Sequence, residues 1–154
     1  MATATLSKLL EANLAAAISG QSWAGDGVAP VYDSLGAQLI TFPSIRVQCD
    51  SGAEEPPSSG NFNCGVEIVV NGGLDPDNAS DYSDVTDAHT ELCGEMENYL
   101  TGTLANAALE QEVSGYTNKL QVHDIRFVSF ARAIDSSNGV FEDTFTLEIY
   151  CHQD

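Results

Sequence analysis

Residues 139–152, GVFEDTFTLEIYCH, carry the pattern that decides the fold. Phe141, Phe145, Leu147, Ile149 and Cys151 recur on one side of a two-residue repeat that Asp143 interrupts. Glu142, Thr144, Thr146, Glu148, Tyr150 and His152 occupy the other side. In an extended backbone successive side chains point to opposite faces, so the segment reads as a strand with one face buried. DSSNG at 135–139 is a hairpin turn sequence, and residues 120–134 before it are also strand-like. There Arg126, Val128, Phe130 and Arg132 are expected on one face, with Ile125, Phe127 and small residues on the other.

Working back along the chain, Phe62, Cys64, Val66, Ile68 and Val70 alternate in the same way. So do Ile45, Val47 and Cys49 with Ser44, Arg46 and Gln48, in a strand region that begins near Leu39, with Pro43 near its start or on an edge. DSGAEEPPSSG at 50–60 reads as a loop because of its Pro, Gly, Ser and acid content, so these two strands form a second hairpin with a long acidic connection. Leu6, Leu9, Leu10, Leu14 and Ile18 recur at three- and four-residue steps, which predicts a helix with Thr3 or Thr5 as N-cap and Gly20 as its stop. Val85, Ala88, Leu92, Met96, Tyr99 and Leu100 predict a second, capped by Ser83 or Asp84 and ending near Gly102. Residues 21–37 suit an irregular loop whose apolar anchors include Trp23 and Tyr32, docking on a partner or on their own domain. Residues 104–113 suit a short helical segment. The expected fold is α+β, one domain over residues 1–154. Its order is α-β-β-α-β-β, an antiparallel four-stranded sheet with helices packed on one face.

Charge narrows the partners. The chain has 23 acidic and five basic side chains among 154 residues, for a net charge of −18, and between Val47 and Asn118 it holds fourteen carboxylates with no Lys or Arg. Contacts to nucleic acid phosphates and anionic membranes are made mainly by cations, so such a surface should repel both. A hydrophobic content of 43% separates the chain from disordered acidic tails. The apolar N-terminal run is interrupted by Glu11 and Asn13 and lacks a basic flank, so it reads as a helix of a soluble protein, with no membrane partner expected.

Chemical motifs are sparse. Cys49, Cys64, Cys93 and Cys151 show no C-x-x-C, and no His stands at ligand spacing, so buried thiols in a reducing cytoplasm are expected. Cys49 and Cys64 are the pair that adjacent strands would bring together. Asp75, Asp77, Asn78, Asp81 and Asp84 break the EF-hand pattern and read as a solvated acidic turn leading into a helix N-terminus. Asp87, Glu91 and Glu95 form a like-charged ridge at four-residue steps, unfavourable by a few tenths of a kcal/mol per pair. His89, His123 and His152 lack a nucleophile motif nearby and read as packed or surface residues. No enzymatic activity, cofactor or metal is expected. Arg46, Arg126 and Arg132 lie on strands among excess acid, so each is expected to pair with carboxylates within the sheet or across a subunit boundary, at least one of them across the boundary.

The strand NFNCGVEIVVNGG (61–73) followed by the helix SDVTDAHTELCGEMENYL (83–100), with Asp84, Asp87, His89, Leu92, Met96 and Leu100 in similar places, resembles tail terminator and related head–tail joining proteins of long-tailed bacteriophages. Loops 21–37 and 50–60 depart from that pattern. The resemblance implies a structural virion protein of the tail or neck, assembled in the host cytoplasm. It would form a homo-oligomeric ring, usually a hexamer, that caps the tail tube and meets a neck or connector protein. A neck protein, a minor tail protein and a monomeric acidic binding module or inhibitor are the alternatives. In a ring, Arg46, Arg126, Arg132, Trp23 and Tyr32 are interface candidates. Asp87, Glu91, Glu95, Glu54 and Glu55 are candidates for an acidic lumen through which DNA passes without being bound.

Overall fold

The computed structural model describes residues 3–25, 29–33, 42–73, 82–135 and 139–153. Helix α1 (Leu6–Ser19) begins where the Thr5 side chain accepts the Lys8 N–H at 3.2 Å, and Gly20 ends it by donating to Ala16 at 3.1 Å. The capping hydroxyl satisfies a donor that helix geometry leaves free. Leu9, Leu10, Leu14 and Ile18 are fully buried, each worth about 1.5–3 kcal/mol of burial.

Strands β1 (Val31–Asp33), β2 (Ser44–Glu54), β3 (Phe62–Gly73), β4 (Leu120–Asp135) and β5 (Val140–Gln153) form one sheet in the order β1-β2-β3-β5-β4. The expected all-antiparallel, four-stranded sheet is therefore corrected to a five-stranded mixed one, because β1 pairs parallel to β2 with Val31 opposite Ile45. This strand lies in the segment read as loop. Three residues are too short for alternation to register, and they are extended because β2 offers a free edge and Asp33 is tied to Lys8 at 2.9 Å. Upstream, Gly25 and Ala29 exchange N–H···O bonds of 2.8 and 2.9 Å. Gly25 has φ +84° and a Cβ there would lie 2.5 Å from the Ser19 carbonyl oxygen, so glycine is required.

Residues 50–54 are also strand, although their composition predicts loop; the turn is confined to the residues after them. Glu54 closes that turn, its carboxylate accepting the N–H groups of Ser58 at 2.8 Å and Gly60 at 3.0 Å. Helix α2 (Tyr82–Asn98) starts earlier than the Ser83 or Asp84 cap would allow and runs into a π turn, Tyr99–Thr103, then a short 3-10 helix, Asn106–Leu109. Asp75, Asp77, Asn78 and Asp81 of the acidic turn lie outside the described residues.

Both helices lie on one face of the sheet. Their apolar stripes meet Ile45, Val47, Val66, Ile68, Val70, Phe145, Leu147 and Ile149 in a single buried cluster. β3 and β5 pair without a break from Phe62↔Cys151 to Gly73↔Val140. β4 does not pair so evenly: its register with β5 shifts at Val122/Asp124 and again at Phe127/Ser129. Each bulge inserts one residue and exchanges the faces beyond it. Ile125 and Phe127 thus share the helix-covered side with Phe130, Arg132 and Ile134, which pair with Phe145, Asp143 and Phe141. The expected grouping of Phe130 and Arg132 with Arg126 against Ile125 and Phe127 is corrected accordingly.

Two carboxylates satisfy backbone at such irregularities. Buried Glu11 of α1 accepts the Cys49 N–H at 2.9 Å, beside the bulge of β2, and Glu110 accepts the Val122 N–H at 2.9 Å. Asn118 fastens the N-terminal segment: it accepts the Ala4 N–H and donates to the Ala4 carbonyl, both at 2.9 Å, and donates to Gln153 at 3.1 Å. Leaving buried backbone groups unpaired costs about 1–3 kcal/mol. Asn118→Ala should lower unfolding free energy by that order, read as a lower urea midpoint with an unchanged slope; an unchanged midpoint would show that the fastening contributes nothing.

Candidate assembly surface and a buried polar cluster

Among the described residues β4 is an edge of the sheet, and its distal half exposes large apolar side chains. Val128, Phe130 and Ile134 are 49%, 68% and 58% exposed, even though Phe130 and Ile134 share the face that elsewhere forms the core. Folding alone would favour placing such side chains under a helix, and large apolar groups clustered on a free edge mark a surface for association. Sequence reasoning missed this patch because strict alternation assigned Phe130 and Ile125 to opposite faces.

The arginines behave differently from one another. Arg132 pairs within the chain: Nε lies 2.9 Å from Oδ1 of Asp143, and Nη2 lies 3.0 Å from Oδ2. Arg126 is exposed and only loosely held, 3.8 Å from both Asp124 and Glu148. Arg46 is half-buried opposite Val69, and its Nε has no acceptor among the described residues. Trp23 docks on its own domain, edge-on to Tyr99 with centroids 5.9 Å apart, and also lines a groove of about 560 Å³. Tyr32 is half-buried on β1, paired with Arg46.

The acidic candidates fall into two groups. Asp87, Glu91 and Glu95 are exposed along the outer side of α2, and Glu91 and Glu95 border the groove that Trp23 lines. Glu54 and Glu55 sit at the tip of the β2–β3 hairpin, where the Glu55 carbonyl accepts the Tyr150 hydroxyl at 2.7 Å. Along β3 that tip is opposite to the Gly72 end, where α2 rests its His89; ten residues of strand separate the two by roughly 33 Å. The five carboxylates therefore form no single patch.

Among the described residues, a group of metal-ligating side chains lies between α2 and β5. His89 Nε2 is 3.1 Å from Oδ1 of Asp143 and 3.5 Å from the Cys93 sulfur, and all three residues are buried. His89 is thus one helical turn from Cys93 and stands at ligand spacing, which corrects the expectation that no histidine does. Two signals could have found the cluster: the i, i+4 pair on the apolar stripe, and an acid within the apolar side of β5. Gly72 makes room for the ring, since a Cβ there would lie 2.6 Å from His89 Nδ1. Among the described residues that nitrogen is buried without a hydrogen-bond partner.

Electrostatics follow from the packing. Burial pushes the Asp143 pKa up, but hydrogen bonds from Arg132 and His89 outweigh it and hold the carboxyl below the ordinary carboxylate range. Burial, with the nearby Asp143 charge, raises the Cys93 thiol to about 12. Thiol and carboxylate both face the same ring nitrogen. A nucleophile relay needs them on opposite nitrogens, so this arrangement is not a Cys-His-Asp triad. The remaining thiols are free; Cys64 and Cys151 are buried, and Cys49 is half-buried. A hydrogen bond with Cys151 and burial raise Cys64 to about 12. His123 and His152 meet at 2.9 Å on the exposed end of β4 and β5.

No family model and no curated protein matches the sequence. Among solved structures, a chain from the virion of a native gene transfer agent (GTA) particle is similar with a TM-score of 0.55. The match covers 91% of this chain and 93% of that chain at 9% sequence identity. What the two share is the fold. No helix among the described residues is long and apolar enough to cross a membrane.

Arg132→Gln should remove the charged donor from Asp143 and leave a nearly buried carboxylate with His89. Because Arg132 is half exposed, the expected cost is about 1–2 kcal/mol at pH 7. A depressed folded-state pKa stabilises the fold above the ordinary carboxylate range and ceases to do so as pH falls through the folded value. The gap between wild type and variant, followed by denaturant unfolding with His89 and Cys93 intact, should therefore shrink below about pH 4; a gap that is constant to pH 2 would mean the ion pair is not its source.

Proposed function

We propose that this protein is a structural component of a phage-like virion, forming a ring that caps the tail tube and joins it to the neck or connector. The observation that carries the reading is the free, apolar half of β4. A chain that leaves Val128, Phe130 and Ile134 in water, on a strand edge unpaired among the described residues, is built to bury them against another subunit. The shared fold with a chain of a gene transfer agent virion supports the same class of role. Arg126, exposed and weakly paired, is suited to meet a neighbour's carboxylate beside that edge.

The charge has a place in this reading. A ring lumen lined by the Asp87, Glu91 and Glu95 ridge would repel the phosphates of passing DNA, whereas a basic lumen would hold them. A hexameric ring with so negative a subunit also needs its contacts to be mainly apolar, which the β4 strip provides. The proposed role is architectural, with no reaction assigned to any residue.

Light scattering on size-fractionated protein tests the reading, alone and with assembled tail tubes. Wild type should give a ring-sized species, either at high concentration or on the tubes. Phe130→Asp should weaken assembly by ~10-fold or more, since burying a large apolar side chain is worth about 1.5–3 kcal/mol and 1.4 kcal/mol is tenfold. Its thermal midpoint should stay close to wild type because the residue is exposed in the single chain. A wild type that is strictly monomeric in both conditions, or a Phe130→Asp protein that assembles equally well, would overturn the proposal.

A further inference from the structure

We propose that His89, Cys93 and Asp143 form a binding site for one borderline-soft divalent cation of the zinc type, at the junction of α2 with β5. The inference is independent of the assembly role. The three ligand atoms already lie within 4.8 Å of one another. A tetrahedral zinc ion, with bonds of about 2.0–2.3 Å, separates a nitrogen ligand from an oxygen by roughly 3.4 Å and from a sulfur by roughly 3.6 Å. The corresponding distances here are 3.1 and 3.5 Å. Only the sulfur–oxygen edge has to adjust, and the single-bond rotation of Cys93 supplies that movement.

The donor set fits this class of ion. A thiolate and an imidazole favour zinc-like cations over magnesium or calcium, which take oxygen ligands. Thiol and carboxylate converge on one ring nitrogen, and a cation among the three would bind all of them at once. Arg132 grips Asp143 through both carboxylate oxygens, fixing the orientation in which Oδ1 faces His89. A cavity of about 90 Å³, lined by Thr86, Thr90, Arg132 and Phe141 as well as His89, adjoins the cluster. It offers an entry path and room for water as a fourth ligand. Binding exchanges a proton for the cation: Cys93 is bound as thiolate and its proton goes to solvent, while the neutral ring binds through the Nε2 lone pair and carries its N–H on Nδ1.

Reduced, metal-free protein titrated with Co²⁺ near neutral pH should take up one equivalent and develop a thiolate-to-cobalt charge-transfer band in the near ultraviolet. Cys93→Ser and His89→Gln should lose the band and bind ~10-fold or more weakly, with circular dichroism showing that they fold. Cys49→Ser should keep the band, which separates this site from the thiols of β2, β3 and β5. If the cluster variants do not fold, wild type alone decides: one equivalent of Zn²⁺ should slow alkylation of Cys93 several-fold and leave Cys49 unchanged. Absence of a thiol-dependent band in wild type, a band that survives Cys93→Ser, or unchanged Cys93 alkylation would each overturn the assignment.

Discussion

β3 and β5 are held together by an unbroken antiparallel ladder, and the side chains that share the inner face of this pair are almost all apolar. Burying that face while leaving the other in water is the constraint from which the rest of the structure follows. Leu9, Leu10, Leu14 and Ile18 of α1, and Leu92, Met96, Tyr99 and Leu100 of α2 and its π turn, join that face in one buried cluster. The opposite face carries Gln48, Glu67, Thr144, Thr146 and Glu148, half-buried by their neighbours and still reached by solvent. A one-sided sheet of this kind fixes where both helices lie and which side of each faces out, so the acidic ridge of α2 is turned to water by the same packing that buries its leucines.

Polar groups occur inside this arrangement where the backbone departs from regularity or where helix and sheet must be aligned. Glu11 and Glu110 receive N–H groups beside bulges, and Asn118 ties Ala4 to the end of the sheet. Asp143 is the acidic residue on the inner side of β5, and His89, Cys93 and Arg132 gather on it from α2 and β4. Buried polar atoms are costly unless satisfied, so these contacts also select one register of helix on sheet. Among the described residues, Nε of Arg46 and Nδ1 of His89 are buried side-chain nitrogens without a hydrogen-bond partner.

The second bulge of β4 decides which side chains the edge strand exposes. Were Val128 accommodated by regular alternation instead of a bulge, Phe130 and Ile134 would turn to the solvent face and Ala131 and Ala133 toward the helix side. With it, the apolar face of the sheet continues past the end of the helical cover, and a strip of core-like surface is left open on a free edge. In the proposed ring, strong acidity would keep single chains apart and the apolar strip would be where neighbours meet.

Much of this was legible in the residues themselves. Alternation in residues 139–152 and 62–70 and the leucine spacing of α1 specify strands and helix because each pattern lies within one element and reports its own burial. Acidity and the lack of basic residues between Val47 and Asn118 are equally local facts. Tertiary structure alone decided what depends on pairing. β1 is three residues long and becomes a strand through its neighbour, making the sheet mixed and five-stranded. Residues 50–54 are extended despite a loop-like composition because β3 supplies their ladder. The inserted residue in β4 exchanges its faces without altering any local propensity, and so it hid the exposed Phe130 strip. His89 and Asp143 meet although they stand 54 positions apart in sequence, a separation over which spacing says nothing until helix and sheet pack together.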